Sequence, residues 1–433
     1  MNRENSPAKK TILVIAPNPW SVQELSRHKE NFNFIFLEDS FQKEKISWID
    51  KLRLIRGLRF KKYVDKAVQM AEQYQVDAIL GADEFISCLY ATAASEKLGL
   101  PVNSLQLELT FQHKYYSRLL QKKWVPEAVP EFGILHTQTP PDFPFFAKPI
   151  RGSASLMAKR LNSKAELKCF LKIPILKKLF YLRMLSTFEN IAEKFADLKK
   201  IGSPLIYEEI LQGEQYTLEA FVVQGEHHFI GVVDSVMYPQ SKISFSRFDF
   251  PSKLPTQVQM RMQSIAHRLM KSAGYQFGFY NMEFFYHPPT DALKIIEINP
   301  RIAFQFTDLY EKVLGFNTFD IWLKILTGEK ENFFPAKCQG RYSHASSYVL
   351  RSFEDGFVQR TPTSDEISKV ESEFDARIMK MSSEGTQLSS DIFQDVESYR
   401  LMTVNLGGKT REEIQNKYEK IQALLPFQIR RKN

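Results

Sequence analysis

The chain has 433 residues, too many for one ordinary core and suited to two or three domains; 43% are hydrophobic and 25% charged, as in folded soluble proteins. No run approaches the roughly 20 apolar residues needed to cross a bilayer, and three distant cysteines, Cys88, Cys169 and Cys338, argue against a disulfide framework or a zinc site. The formal charge of +8, from 58 basic and 50 acidic residues, suits an anionic substrate; the densest basic cluster, Arg53, Arg56, Arg59, Lys61 and Lys62, reads as a solvated helix face or a nucleic-acid patch, and no nucleic-acid motif accompanies it.

Residues 11–16, an apolar run after Lys9 and Lys10, read as a buried strand and not as a signal peptide, since no small-residue cleavage site follows. Reduced thiols and the lack of a leader point to the cytoplasm. Strands are predicted at 33–37 and 77–80, and helices at 61–74 and 85–98, the latter closed by Gly99 and Pro101. This alternation predicts a parallel sheet flanked by helices. A polar, largely helical connector covers 106–130. Residues 131–210 read as strand, loop, strand and helix, with an aromatic strand at 143–149 and helical spacing at 164–200. From 204 to 300 the pattern is mostly strands, with one helix near 256–273. Strands at 343–351, 376–381 and 399–405 precede a Glu- and Lys-rich helix at 410–424.

Three segments carry candidate chemistry. In 279–301, Asn281 and Glu283 share a face of one strand, and Glu297 and Asn299 share a face of the next, because side chains alternate. A hairpin register that joins those faces assembles two carboxylates and an amide oxygen, a hard-oxygen set suited to Mg²⁺; otherwise these are two solvent-facing acids. In Phe145-Phe146-Ala147-Lys148-Pro149, a lysine interrupts an apolar strand and leads to a small-residue loop holding Ser153, Ala154 and Ser155. Such a loop lets backbone N–H groups approach phosphate, and an edge-strand lysine is the alternative. In 204–217, an apolar strand enters Glu208-Glu209, then Leu211, a glycine turn and Gln215, an ordinary strand–turn–strand that can also present backbone to an adenine edge.

The order of these pieces, beginning with Lys114 in Gln112-His113-Lys114-Tyr115-Tyr116-Ser117-Arg118 and ending in Glu297-Ile298-Asn299-Pro300-Arg301, resembles the ATP-grasp superfamily. The similarity runs from about residue 11 to 330. It favours the carboxylate–amine ligase branch, which includes L-amino acid ligases, D-alanine–D-alanine ligase, biotin carboxylase and carbamoyl-phosphate synthetase. The resemblance implies a mixed α/β and α+β architecture: an N-terminal Rossmann-like parallel-sheet domain (1–105), a linker and small lid lobe (106–210), a large lobe with the metal site (211–330) and a C-terminal α+β lobe (331–433), with ATP clamped between two lobes.

The resemblance also implies roles. Lys114 and Lys148 contact phosphates, aided by the loop of Ser153 and Ser155. Glu208 accepts from the adenine amino group, Glu209 and Leu211 meet adenine through the backbone, and Gln215 meets the ribose. Glu283, Glu297 and Asn299 hold two Mg²⁺ ions, with Mn²⁺ as a substitute, and Arg301 contacts the transferred phosphoryl group. The implied reaction turns a carboxylate into an acyl phosphate and joins it to an amine, an amino acid or small peptide, with residues 150–205 as a mobile lid and ADP and phosphate as products. A bicarbonate or thiol acceptor and a non-catalytic nucleotide-binding scaffold are the competing readings. The partners implied are small molecules, with neither nucleic acid nor membrane; a homodimer is compatible.

Three positions depart from the family pattern: Gln215 replaces a usual glutamate, Ala154 a common glycine, and Ile302-Ala303-Phe304-Gln305-Phe306 the small glycines that often follow the arginine. Arg247 reads as lying on a loop, where it either meets the carboxylate substrate or packs on phenylalanine. Gly407-Gly408-Lys409-Thr410 lacks the first glycine of a P-loop, because Thr403 stands there. His227, His228 and His344 lack metal spacing and read as structural.

Overall fold

A computed structural model describes residues 9–38, 60–81, 86–136, 138–152, 158–172, 175–241, 243–329, 332–335, 337–390 and 398–431. Ser153 and Ser155, with Ala154, lie outside the described residues, as do Arg53, Arg56 and Arg59 of the basic cluster.

The first unit is a parallel three-stranded sheet of β1 (Lys10–Ile15), β2 (Phe32–Leu37) and β3 (Ala78–Gly81), ordered β2-β1-β3. Alternation sends Leu13, Ile15 and Ile79 to helices α2 (Phe60–Gln73) and α3 (Ser87–Leu98). It sends Ile12, Val14 and Leu80 to the other face, against Leu25 of α1 (Pro19–Ser26) and Phe221, Phe279 and Phe319. Helix α1 is a feature the hydrophobic pattern did not announce. A capping box between Asn18 and Ser21, with a proline at its first turn, starts it. Gly99, at φ +67°, closes α3 as predicted.

Helices α4 (Leu105–Gln112) and α5 (Lys114–Trp124) form the connector. The small sheet that follows is antiparallel and ordered β4-β7-β5-β6, from β4 (Phe132–Ile134), β5 (Phe145–Pro149), β6 (Lys159–Leu161) and β7 (Leu205–Glu208). Helices α6 (Lys164–Phe170) and α7 (Ile175–Ala196) intervene between β6 and β7.

The largest element is an eight-stranded antiparallel sheet, ordered β12-β11-β8-β9-β10-β13-β16-β15. Its strands are β8 (Glu214–Val223), β9 (Glu226–Met237), β10 (Phe245–Phe250), β11 (Phe277–His287), β12 (Ala292–Asn299), β13 (His344–Ser352), β15 (Arg377–Lys380) and β16 (Tyr399–Gly408), while β14 (Gly356–Arg360) pairs apart with β17 (Gln428–Arg431). The sheet takes strands from both sides of residue 330. One face buries Tyr216, Leu218, Met282 and Phe284 against Met262, Ala266 and Leu269 of α8 (Thr256–Ser272). Helices α9 (Thr307–Leu314) and α10 (Thr318–Leu326) cover part of the other face, and α11 (Ser364–Phe374) and α12 (Arg411–Leu424) complete the C-terminal part.

Arg247 corrects one expectation. It lies in strand β10, not on a loop, because Phe245, Phe248 and Phe250 alternate with it. Register then decides its face: Glu283 stands opposite Thr217, whereas Tyr216 stands opposite Asp234 and Asp234 opposite Asp249. Arg247 shares the face of Asp249, so it points away from Glu283.

Candidate active site

The hairpin of β11 and β12 sets the geometry. Its antiparallel register places Asn281 opposite Asn299 and Glu283 opposite Glu297. The four side chains therefore meet on one face, the outcome that alternation allowed and the register decides. Asn299 Nδ2 lies 3.0 Å from Asn281 Oδ1, 3.4 Å from Glu283 Oε1 and 3.5 Å from Glu297 Oε1. Gln215, on β8, donates its Nε2–H to Glu283 Oε2 at 2.7 Å. A glutamate at position 215 would set like charges against each other there.

Two lysines reach this face from other elements. Lys114 opens helix α5, where its backbone N–H donates to Ile150 C=O at 2.8 Å, and its ammonium pairs directly with Glu297. Burial alone would raise the Glu297 carboxyl, but Lys114, with Lys148 and Arg151 nearby, holds it down to about 2. Lys148, on β5, is buried; its Nζ lies 2.8 Å from Glu208 Oε2 and 3.5 Å from Ile296 C=O. Burial pushes its ammonium down to about 8, against the pull of Glu208. A small cavity brings together Lys114, Lys148, Arg151, Glu297, Asn299 and Arg301.

Glu208 departs from the role expected for it. Its carboxylate is buried and turned inward, with Arg118 Nε 2.7 Å from Oε1 and Arg118 Nη2 3.1 Å from Oε2. Burial opposes its charge, yet Arg118 and Lys148 hold it down to about 2. With both oxygens taken by cations, the carboxylate does not face outward toward a base edge. The physical cause is Arg118, one helical turn after Lys114, to which sequence reasoning gave no function. An i, i+4 lysine–arginine pair on a helix with few acids was the available signal. Glu209 is also engaged, its N–H donating to Glu131 C=O at 2.9 Å and its Oε1 accepting from Glu131 N–H at 3.1 Å. Leu211 lies in the connection between β7 and β8.

Arg301 follows β12, and its backbone is fixed at both ends: N–H to Asn299 C=O at 2.9 Å, and C=O from Asn281 Nδ2 at 3.3 Å. Glu219 anchors the next residues. It is fully buried on β8, opposite Asn281, and accepts from Ala303 N–H at 3.0 Å and Tyr310 O–H at 3.1 Å. Burial pushes its carboxyl up to about 8. An acid inside the apolar run Leu218–Val223 was the legible sign of it. Cys88, Cys169 and Cys338 form no disulfide.

The donor set fits a hard divalent cation. Glu283 and Glu297 supply two carboxylates, Asn299 can present its amide oxygen by a half-turn of the amide, and Lys114 is the positive charge now beside Glu297. No group of three or more His, Cys, Asp or Glu with metal-site geometry occurs among the described residues. Two carboxylates are what a Mg²⁺ site with phosphate ligands requires.

Residues 141–308 match the model of the ATP-grasp domain. The chain carries an ATP-grasp domain. The carbamoyl phosphate synthase large chain of Thermotoga sp. (strain RQ2) is 25% identical over 177 residues, which cover 38% of this chain and 16% of that much longer protein. An L-amino acid ligase from Bacillus licheniformis superposes with a TM-score of 0.71 at 14% identity, over 99% of this chain and 100% of that one. The biotin carboxylase domain of a 2-oxoglutarate carboxylase from Hydrogenobacter thermophilus, solved with MgADP and bicarbonate, gives 0.65 at 14% identity, over 97% and 91% of the two chains. These similarities identify the ATP-grasp fold. No helix among the described residues is long and apolar enough to cross a membrane.

Proposed function

We propose that this ATP-grasp protein is an ATP- and Mg²⁺-dependent carboxylate–amine ligase, joining an amino acid or small peptide carboxylate to an amine through an acyl phosphate and releasing ADP and phosphate. One observation carries the reading: Glu283, Glu297 and Asn299 converge on a single face, with Lys114, Lys148 and Arg301 around the same cavity. Three cations beside an oxygen-donor set match a polyphosphate chain with its counter-ions.

A carboxylate cannot expel oxide, so phosphorylation must first supply a leaving group. Bound at Glu283, Glu297 and Asn299, Mg²⁺ would neutralise phosphate charge and polarise the phosphoryl oxygens. Lys148, paired with Glu208 and 3.5 Å from Ile296 C=O of β12, would offer its ammonium to phosphate oxygens in the cavity it lines. Lys114 exchanges its pairing with Glu297 for phosphate oxygens. Arg301, its backbone pinned by Asn281 and Asn299, offsets charge on the transferred group. Glu208 belongs to the support of Lys148, and the adenine contacts fall to the backbone of 209–211. The ligase reading is preferred over an inert scaffold because both carboxylates, the amide and all three cations are present together.

The test is ADP release measured against single and paired amino acids, with bicarbonate and a thiol as alternative acceptors. Amine-dependent release supports the ligase; release driven by bicarbonate or thiol reassigns the acceptor. Tight ATP binding with no turnover under any condition overturns the enzymatic reading. The cytoplasm is the proposed location.

A further inference from the structure

The phosphate cavity is lined by more cations than the chemistry above employs. Among the described residues its wall carries Lys114, Arg118, Lys148, Arg151 and Arg301 against one acid, Glu297. Lys114 pairs with Glu297, and Arg118 and Lys148 share Glu208. Crowding like charges around a small cavity is unfavourable, and an anion seated among them offsets the repulsion. Lys114, Lys148 and Arg301 already have phosphate to meet, and Arg118 is the support of Glu208. Arg151 takes no part so far.

The fold fixes where Arg151 stands. The residue before it, Ile150, is fully buried with Leu185 and Ile206. Its N–H donates to Pro204 C=O at 3.0 Å, and its C=O accepts from Lys114 N–H at 2.8 Å. That carbonyl ties the end of β5 to the first turn of α5, so Arg151 and Lys114 enter the cavity wall from adjoining backbone. Arg151 is itself partly buried.

Two neighbouring groups register the charge of its guanidinium. Burial raises the Glu297 carboxyl, and Arg151 joins Lys114 and Lys148 in holding it down to about 2. Burial pushes the Cys88 thiol up to about 12, and Arg151 and Arg301 both pull the other way. Arg151 is therefore within electrostatic reach of the metal-side acid and of a sulfur that Arg301 also reaches. The two arginines come from different sheets, Arg151 after β5 of the small one and Arg301 after β12 of the large one. A guanidinium offers planar pairs of N–H donors that match phosphate oxygens two at a time, which an ammonium cannot do. A phosphoryl group in transfer spreads its charge over three oxygens, more than one guanidinium covers.

We infer that Arg151 is a second catalytic arginine, which with Arg301 clasps the transferred phosphoryl group as it leaves ATP and again as the phosphate of the acyl intermediate. The inference rests on the ligase reading. In the first step a carboxylate oxygen attacks the γ-phosphorus, the P–O bond to ADP breaks and its electron pair leaves with ADP. In the second the amine nitrogen attacks the acyl carbon, the C–O bond to phosphate breaks, phosphate leaves with that pair and one amine proton goes to solvent. Arg151 donates N–H groups to the phosphoryl oxygens in both and exchanges no proton.

The experiment is calorimetry on the full chain in magnesium buffer, with ADP and then with inorganic phosphate titrated into the ADP-loaded protein. The wild type binds both. Arg151→Gln leaves ADP affinity nearly unchanged and weakens phosphate by about ten- to hundredfold, the worth of a charge-assisted hydrogen bond. Arg151→Lys keeps the charge without the fork, and its phosphate affinity falls between the two. ADP is the control, because a diffuse loss of positive potential weakens the larger anion as well. Thermal melts show that each variant is folded; where glutamine disturbs folding, the lysine variant carries the same comparison. Phosphate affinity unaltered by the substitution overturns the inference, as does a parallel loss of ADP and phosphate, and so does a wild type that binds ADP but no phosphate at millimolar concentration. A wild type that binds neither ADP nor ATP sinks the ligase reading, and the role of Arg151 with it.

Discussion

Arg118 and Glu208 form a two-point ion pair, Nε to Oε1 at 2.7 Å and Nη2 to Oε2 at 3.1 Å, at the wall of the cavity that Lys114 and Lys148 also line. Both side chains are buried, and Lys148 completes the cluster. Removing one member strands a charge of the other sign. Glu208→Ala is therefore expected to destabilise the protein by about 3–5 kcal/mol. Urea unfolding followed by circular dichroism measures this; a loss below about 1 kcal/mol, the value of an exposed pair, would show that the cluster is not structurally dominant.

Glu297→Ala is expected to abolish ADP formation while leaving the fold intact. The substitution removes a carboxylate that Lys114, Lys148 and Arg151 hold ionised and leaves Lys114 without its partner, so the melting temperature falls although the fold survives. A coupled ADP assay beside thermal melts reads both effects. Turnover at the wild-type rate would refute the metal assignment.

Lys148→Ala is expected to weaken nucleotide by about ten- to hundredfold, equivalent to about 1.5–3 kcal/mol for a hydrogen bond to a charged group. Because Glu208 retains Arg118, the fold survives with reduced stability. Calorimetry with a non-hydrolysable ATP analogue is the measurement, and unchanged affinity would remove Lys148 from the phosphate site.

Gln215→Glu exchanges a donor for a carboxylate beside Glu283. The variant is expected to melt lower than wild type without divalent ions and to recover most of the difference when MgATP is added, since a cation bridges what otherwise repels. Equal melting losses with and without MgATP would show that position 215 does not sense the metal site.

Glu219 links stability to pH. Its carboxyl is raised from 4.5 to about 8 in the folded protein, so the native state keeps a proton that the unfolded chain has lost. Stability from this group is fully present below pH 4.5 and declines as pH rises through about 8. Replacement by glutamine, which stays neutral, removes this decline. Denaturant midpoints for wild type and Glu219→Gln between pH 5 and 8.5 test it; parallel pH curves would contradict a buried neutral acid.

Much of this architecture was legible because it rests on local periodicity. Alternation in 279–299 placed Asn281, Glu283, Glu297 and Asn299 on shared faces, and only the hairpin register was needed to bring them together. The parallel first sheet followed from alternating strands and helices. What stayed hidden depends on contacts distant in sequence. Arg118 meets Glu208 across 90 positions. Glu219 holds Ala303 across 84. Nothing near either residue announces its partner. The face of Arg247 likewise requires three successive strand pairings, which no local pattern encodes.

The strand that bears Glu297 is the outermost of its sheet, and an outermost strand exposes unpaired carbonyls that invite another chain to add itself. Arg118 spans two of them, donating to Ile295 C=O at 2.9 Å and Ile296 C=O at 2.6 Å. One guanidinium thus occupies two carbonyls of the edge strand as well as anchoring Glu208. Its loss would leave both carbonyls without that donor, so a greater tendency to aggregate is expected to accompany any fall in activity.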